Sequence, residues 1–246
     1  DLSDVPCGKS HRPVQVRLSR LQLHRLESHA PQVLCTLKSA QRKPYERLLE
    51  WIASDRSVVT GQAVYQLRIE LDGAHPKIWR TIQTYDCTLD DLHTLIQAAM
   101  GWQNEHMYEF EAGGVRYSAM PEESYGDRLE PGDAGMTHIS QVVPIGDRRA
   151  AFVYRYDFGD EWCHTVTVER IVPAEKTGLY PVCLAGQRAC PPEDCGGVYW
   201  YNELVQSYAD PNSDGYGEAV EWLGESADLT AFDVRATTRA MRNCFE

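Results

Sequence analysis

The stretch AFVYRYDFGDEWCHTVTVERIV, residues 151–172, carries the strongest strand signal in the chain. Phe152, Tyr154, Tyr156 and Phe158 fall on one side of an extended backbone, and Trp162, His164, Val166 and Val168 line the apolar face of the run that follows. Such two-residue alternation marks strands half-buried in a sheet, because successive side chains point to opposite faces. Gly159 and Asp160 separate the two runs and predict a hairpin turn.

Working outward, the same pattern recurs. AVYQLRIEL (63–71) sets Tyr65, Leu67, Ile69 and Leu71 against Gln66, Arg68 and Glu70, and DGAHPK turns it into a second strand, IWRTIQTY (78–85). HMYEFEAGGVRYS (106–118) predicts another hairpin, turning at Gly113 and Gly114. Between them, TLDDLHTLIQAAMGW (88–102) predicts a helix. Thr88 offers an N-cap and Asp91 a capping-box partner; Leu89, Leu92, Ile96, Ala99 and Met100 form the apolar stripe, and Gly101 ends it. YWYNELVQSYAD before Pro211, EAVEWLGE, and AFDVRATTRAMRNCF predict three further helices, the last with Phe232, Ala236, Ala240 and Met241 near one side. Strands, a helix, strands and then helices define an α+β class: a mostly antiparallel sheet with helices packed on one face.

Upstream of residue 61 the signals are mixed. Val14, Val16 and Leu18 alternate like a short strand, KPYERLLEWIAS (43–54) reads as a helix, and SDRSVVTGQ reads as a linker. The chain therefore divides into a basic, partly helical extension (1–60) and an α+β domain (61–246). Residues 8–47 carry nine Lys or Arg against Glu27 and Glu46, whereas residues 48–246 carry fifteen against 32 acidic residues. An acidic body is a poor surface for duplex DNA, which needs cationic contacts to phosphate. The basic segment 8–47 suits either nucleic acid or the acidic body itself, the latter slightly favoured. No stretch approaches the ~20 apolar residues of a membrane helix, and no secretory signal opens the sequence. The expectation is a cytoplasmic protein with reduced thiols and no membrane partner.

CLAGQRACPPEDCGG (183–197) gathers three cysteines, two prolines, two acids and three glycines. Zinc in a structural site takes four thiolate or imidazole ligands. Cys183, Cys190 and Cys195 supply three, and His164, inward-facing on its strand, is the best fourth. The alternatives are plain buried thiols, a Cys190–Cys195 disulfide, or a reactive thiol beside Arg188. Pro191 and Pro192 stiffen the loop, Glu193 or Asp194 suits a helix cap, and Gly196 and Gly197 permit close backbone approach. A second set, His93, His106, Asp157, Asp160 and His164, suits a divalent metal or acid–base work if the fold brings it together. The expected pocket lining is Asp157, Asp160, Trp162, His106, Glu193 and Asp194, formed where the bend near residue 160 meets the loop near 190.

Taken together, IWRTI, LHTLIQAAMGW, HMYEF, YDFGDEWCH and CLAGQRACPPEDCGG, in this order, resemble the plasmid pRiA4b ORF-3-like family, whose members are also called TnpR-like proteins of insertion elements. The resemblance spans roughly residues 63–245. It implies a compact α+β domain and places the family signature at Asp157, Phe158, Gly159, Asp160, Trp162 and His164, and at Cys190, Pro191, Pro192, Glu193, Asp194, Gly196 and Gly197. Tyr108 stands where many relatives have a second histidine. Nothing resembles a serine or tyrosine recombinase catalytic set. The favoured reading is a non-enzymatic accessory or binding protein associated with mobile elements, carrying a structural zinc. A metal-dependent hydrolase built on YDFGDEWCH and CPPEDCGG, with Glu193 or Asp157 as base, is the alternative. A protein-interaction module presenting Tyr199, Trp200, Tyr201, Tyr208 and Trp222 to a protein partner is the third reading.

Overall fold

A computed structural model of the chain describes residues 63–119, 132–143, 150–175 and 177–245. The extension over 1–60, with its expected strand, helix and basic segment, lies outside the described residues. Among the described residues, eight strands form one sheet: β1 (Ala63–Leu71), β2 (Ile78–Tyr85), β3 (Tyr108–Ala112), β4 (Val115–Ser118), β5 (Gly132–Asp133), β6 (Ala151–Tyr156), β7 (Trp162–Pro173) and β8 (Val182–Gln187). Their order is β5-β4-β3-β6-β7-β1-β2-β8. β4 and β5 pair in parallel and the other neighbours are antiparallel. The described helices are α1 (Leu89–Met100), α2 (Ile139–Val142), α3 (Gly197–Tyr208), α4 (Tyr216–Leu223) and α5 (Val234–Asn243).

The register explains why one face is apolar. Leu71, Ile69 and Leu67 stand opposite His164, Val166 and Val168 on one side and opposite Ile78, Arg80 and Ile82 on the other. His164 and Trp162 face Tyr154 and Tyr156, which in turn face Phe110 and Tyr108. Directly paired residues share a face, so the alternating residues of five strands merge into one continuous buried surface. The opposite face is polar. There Gln66 donates to Glu169 at 2.8 Å, and Arg116 and Arg155 both reach Glu109, at 3.2 and 3.0 Å.

Helix α1 covers the apolar face. Thr88 Oγ1 accepts from Asp91 N, the Asp91 carboxylate accepts from Thr88 N, and Gly101 closes the helix at φ 87°. Its last turn lacks a basic residue, leaving the carbonyl end of the dipole uncompensated locally. Arg80, 3 % exposed on β2, supplies the cation. Its Nε donates to Ala99 O at 3.0 Å, its Nη1 to Trp79 O and Gln187 O at 2.8 and 2.9 Å, and its Nη2 to Arg188 O at 2.8 Å. The guanidinium also lies 4.3 Å from the centre of the Phe232 ring. One buried charge thus ties β2, α1, β8 and the chain entering the 190 loop.

Two details depart from the alternation pattern. The β6–β7 connection is longer than a two-residue turn: residues 157–161 all lie between the strands, closed by Glu161 N to Asp157 O at 2.7 Å. Phe158 therefore leaves the apolar face and is 39 % exposed. In α5, Ala236 and Ala240 face solvent, while Thr238 and Met241 turn inward. The cause is docking on β8, where Thr238 Oγ1 accepts from Cys183 N at 3.0 Å and Arg242 Nε donates to Pro181 O at 3.0 Å.

Candidate functional site

Three loops meet at one edge of the apolar face: residues 102–107 after α1, the turn 157–161, and the loop 190–197 before α3. They are held by specific bonds. Trp102 Nε1 donates to Pro191 O at 2.9 Å. Glu193 accepts from Gln103 N at 2.7 Å and from the Tyr156 hydroxyl at 2.6 Å. Asp160 accepts from Gly196 N at 2.9 Å. Gly197, at φ 80°, lies so close to Asp160 O that a Cβ would collide with it. The bend near 160 and the loop near 190 therefore fold against each other, with Asp160 and Glu193 acting as clamps.

Between the clamps lie three ligand-type side chains. His106 Nε2 is 2.9 Å from Asp194 Oδ1 and 3.8 Å from Asp157 Oδ2, and the three donor atoms all lie within 4.8 Å of one another. No other such group of three His, Cys, Asp or Glu occurs among the described residues. Asp157 is buried, His106 half-buried and Asp194 exposed. The close approach of Nε2 to Asp194 is not a hydrogen bond in geometry: the nitrogen is shielded from water and aims no N–H at a partner. One imidazole with two carboxylates is a familiar donor set for Zn²⁺ or Mn²⁺.

Backbone strain concentrates here. Asn104, Asp157, Glu161 and Asp194 all have positive φ, between 52° and 61°. Asn and Asp tolerate the left-handed region better than other residues with a Cβ, and such outliers persist where the surroundings over-determine them.

Beneath the site runs a closed polar ring. Gln97 Nε2 donates to the Tyr154 hydroxyl at 2.9 Å, which is 2.7 Å from His93 Nδ1; His93 Nε2 is 2.6 Å from Asn104 Oδ1, and Asn104 N donates back to Gln97 Oε1 at 3.2 Å. The ring assigns the His93 tautomer: Nδ1 accepts from Tyr154 and Nε2–H donates to Asn104. Burial pushes His93 down to about 4, so it stays neutral. The Tyr156 hydroxyl, raised by burial and by its bond to Glu193, remains protonated and accepts from Glu105 N and His106 N at 3.0 and 3.3 Å. Both features fix the loop that presents His106.

The expected thiol site is not brought together. His164 on β7 and Cys183 on β8 are separated by β1 and β2, three strand steps of about 4.8 Å each. Cys190 Sγ lies 3.0 Å from Arg80 Nη2 and 3.2 Å from Met100 Sδ, and Cys183 Sγ contacts Ala185 O at 3.5 Å. Burial raises Cys183 and Cys190 to about 11 and Cys195 to about 12, so all three are thiols at neutral pH. Cys190 and Cys195 are free, without a disulfide. His164 is fully buried and pushed down to about 4; its Nδ1 lies 3.1 Å from Trp162 O. Trp162, expected at the pocket wall, is wholly inside the core, its ring centre 5.6 Å from that of Trp102. Of the earlier His/Asp set, the fold joins His106 with Asp157, leaves His93 beneath them, and uses Asp160 as a clamp.

Residues 63–236 match the plasmid pRiA4b ORF-3-like proteins. The chain belongs to this family. Within it, the uncharacterized protein y4hQ of Sinorhizobium fredii (strain NBRC 101917 / NGR234) is 37 % identical over 166 residues, 67 % of this chain and 82 % of that protein. A protein of unknown function, MM3350 from Methanosarcina mazei Go1, has a crystal structure similar to this one. Its TM-score is 0.63 at 35 % identity, covering 72 % of this chain and 98 % of that one. The pRiA4b ORF-3-like match includes all three loops of the site. No helix among the described residues is long and apolar enough to cross a membrane.

Two features escaped sequence reading although each left a trace. Arg80 interrupts the apolar face of IWRTI, the mark of an inward-pointing charge. Gln97 lies on the buried side of α1 with His93, and two polar residues on one buried side signal a network.

Proposed function

We propose that this chain is a non-enzymatic accessory domain that binds a divalent cation of the Mn²⁺ or Zn²⁺ class through His106, Asp157 and Asp194. One observation carries the reading: three donor atoms from three separate loops converge within 4.8 Å, with His106 Nε2 shielded and making no hydrogen bond. The thiols take no part in it. The plasmid name of the family supports an association with mobile elements, and the basic segment 8–47 supports contact with nucleic acid there.

Mn²⁺ titration of the full chain, by calorimetry and electron paramagnetic resonance, tests the site. We expect one equivalent to bind, with Asp157→Asn and Asp194→Asn each weakening it at least ~100-fold, since each removes a charged ligand. The combined Cys183→Ala, Cys190→Ala, Cys195→Ala variant should bind normally. No uptake by the wild type, or uptake abolished only in the thiol variant, would overturn the reading.

A metal-dependent hydrolase is the second reading. Three protein ligands leave coordination positions for water, and a cleft opens beside His106. Mn²⁺-dependent release of nitrophenol from nitrophenyl phosphate, lost in Asp157→Asn, would favour it over a binding role.

A further inference from the structure

The cleft beside His106 has a volume of about 370 Å³, at the small end of organic ligand sites. Part of its wall is built in advance. The His93 and Tyr108 rings, both in the lining, stack with centres 3.7 Å apart and planes within 9°. The Tyr108 hydroxyl donates to Asp90 Oδ1 at 2.5 Å, which fixes a carboxylate from the first turn of α1 at the cleft. Two large apolar side chains complete the lining, Met107 at 67 % exposed and Phe158 at 39 % exposed. Left in water at one concavity, they suit a ligand with an apolar body.

The charge around the cleft has one sign. Among the described residues, its lining includes the Asp90 carboxylate and no Lys or Arg. Burial keeps His93 neutral, pushed down to about 4, and its two ring nitrogens are committed to Tyr154 and Asn104. His106 has Asp194 Oδ1 at 2.9 Å and Asp157 Oδ2 at 3.8 Å. With two carboxylates to one imidazole, that edge is net negative whether or not the ring carries a second proton. A partly apolar recess bordered by carboxylates concentrates small cations and repels anions.

We infer that this cleft binds a small organic cation, an ammonium head joined to a compact apolar body. The head pairs with Asp90, whose carboxylate Tyr108 holds in place, and the body lies against Met107 and Phe158. A hydrogen bond between charged partners is about twice as strong as a neutral one, so the head sets the class of ligand and apolar contact adds to it. The inference does not rest on the divalent-cation reading above. A metal ion held by His106, Asp157 and Asp194 lowers the negative charge of that edge, but Asp90 is not among its ligands and keeps its own charge for the head.

Benzylamine, benzyl alcohol, benzoate and methylamine separate head from body in NMR titrations of the full chain at neutral pH, in chelator so that no metal contributes. Benzylamine should bind at least ~10-fold more tightly than benzyl alcohol, the scale of a charge-assisted hydrogen bond, and at least ~10-fold more tightly than methylamine, which lacks the body. Benzoate should bind more weakly than either benzyl probe. Asp90→Asn retains an acceptor for the Tyr108 hydroxyl, so the wall keeps its shape, and should bring benzylamine and benzyl alcohol within ~3-fold of each other. Phe158→Ser, at an exposed position, should weaken benzylamine at least ~3-fold while sparing its preference over the alcohol. No benzylamine binding at millimolar concentration, equal affinities for amine and alcohol, benzoate as tight as benzylamine, or a preference unchanged in Asp90→Asn overturns the inference. Each of these results leaves the Mn²⁺ titration standing as a separate test of the divalent-cation site.

Discussion

Residues 183–190 and residues 193–197 are near neighbours in one segment, each rich in special side chains, yet they settle in opposite surroundings. Cys183 is 2 % exposed, and Cys190 packs against Met100 and the Arg80 guanidinium. Asp194, a few residues on, faces solvent and His106. The first half is drawn into the sheet by β8 pairing with β2 and by α5 closing over it. The second half is held outward by clamps to the turn 157–161 and to the loop after α1. Ligand-type chemistry in the first half became packing, whereas in the second half Cys195 is buried and the Asp194 carboxylate stayed available. Residue type alone does not choose between these fates; the neighbours do.

The largest effect expected from this contrast lies on the packed side. Arg80→Met should cost about 3–5 kcal/mol in urea unfolding, because it strands buried carbonyls of Trp79, Ala99, Gln187 and Arg188 that the guanidinium satisfies. A loss under about 1 kcal/mol would show that these carbonyls find water and that the hub is incidental.

Acidification should produce the next effect. His93 and His164 are held near 4 by burial, against 6.5 when exposed. Between those values the unfolded chain binds the protons and the folded chain does not. Stability is complete above pH 6.5 and falls as pH drops toward 4, by up to about 3 kcal/mol for each histidine. His93→Gln should remove roughly half of that fall in pH-dependent denaturation, and an unchanged slope would mean that His93 is not kept neutral.

Gly197→Ala should have the smallest effect on stability and act on the open side. The new Cβ meets Asp160 O in a left-handed conformation, costing about 1–3 kcal/mol. By pushing Asp194 away from Asp157 and His106, it should weaken Mn²⁺ binding at least ~10-fold, the scale of a lost positioning contact. Normal cation affinity in this variant would uncouple the backbone approach from the site and break the contrast between the two halves.

Much of the fold was legible because alternation and capping are local. The three hairpins, the Thr88–Asp91 box, the Gly101 stop and the four longer helices all follow from spacings of a few residues. The meeting of the 160 bend with the 190 loop was also legible, since turn acids and a stiff Pro-Pro-Gly-Gly segment announce specialised loops. The ligand set was misread. His164 looked like a ligand because it points inward, yet inward on β7 means into the core, three strand steps away from β8. Phe158 looked like core because it continues the alternation, yet the strand ends two residues earlier and the ring emerges at the cleft.

The sequence by itself determined the elements, the single buried face and the family to which the chain belongs. These depend on periodicity and motif order, which are written along the chain. Tertiary structure alone decided which of the many His, Cys, Asp and Glu stand together. That choice depends on strand order and on loop contacts between residues about 35 to 90 positions apart, and distance through space is not encoded in any local spacing.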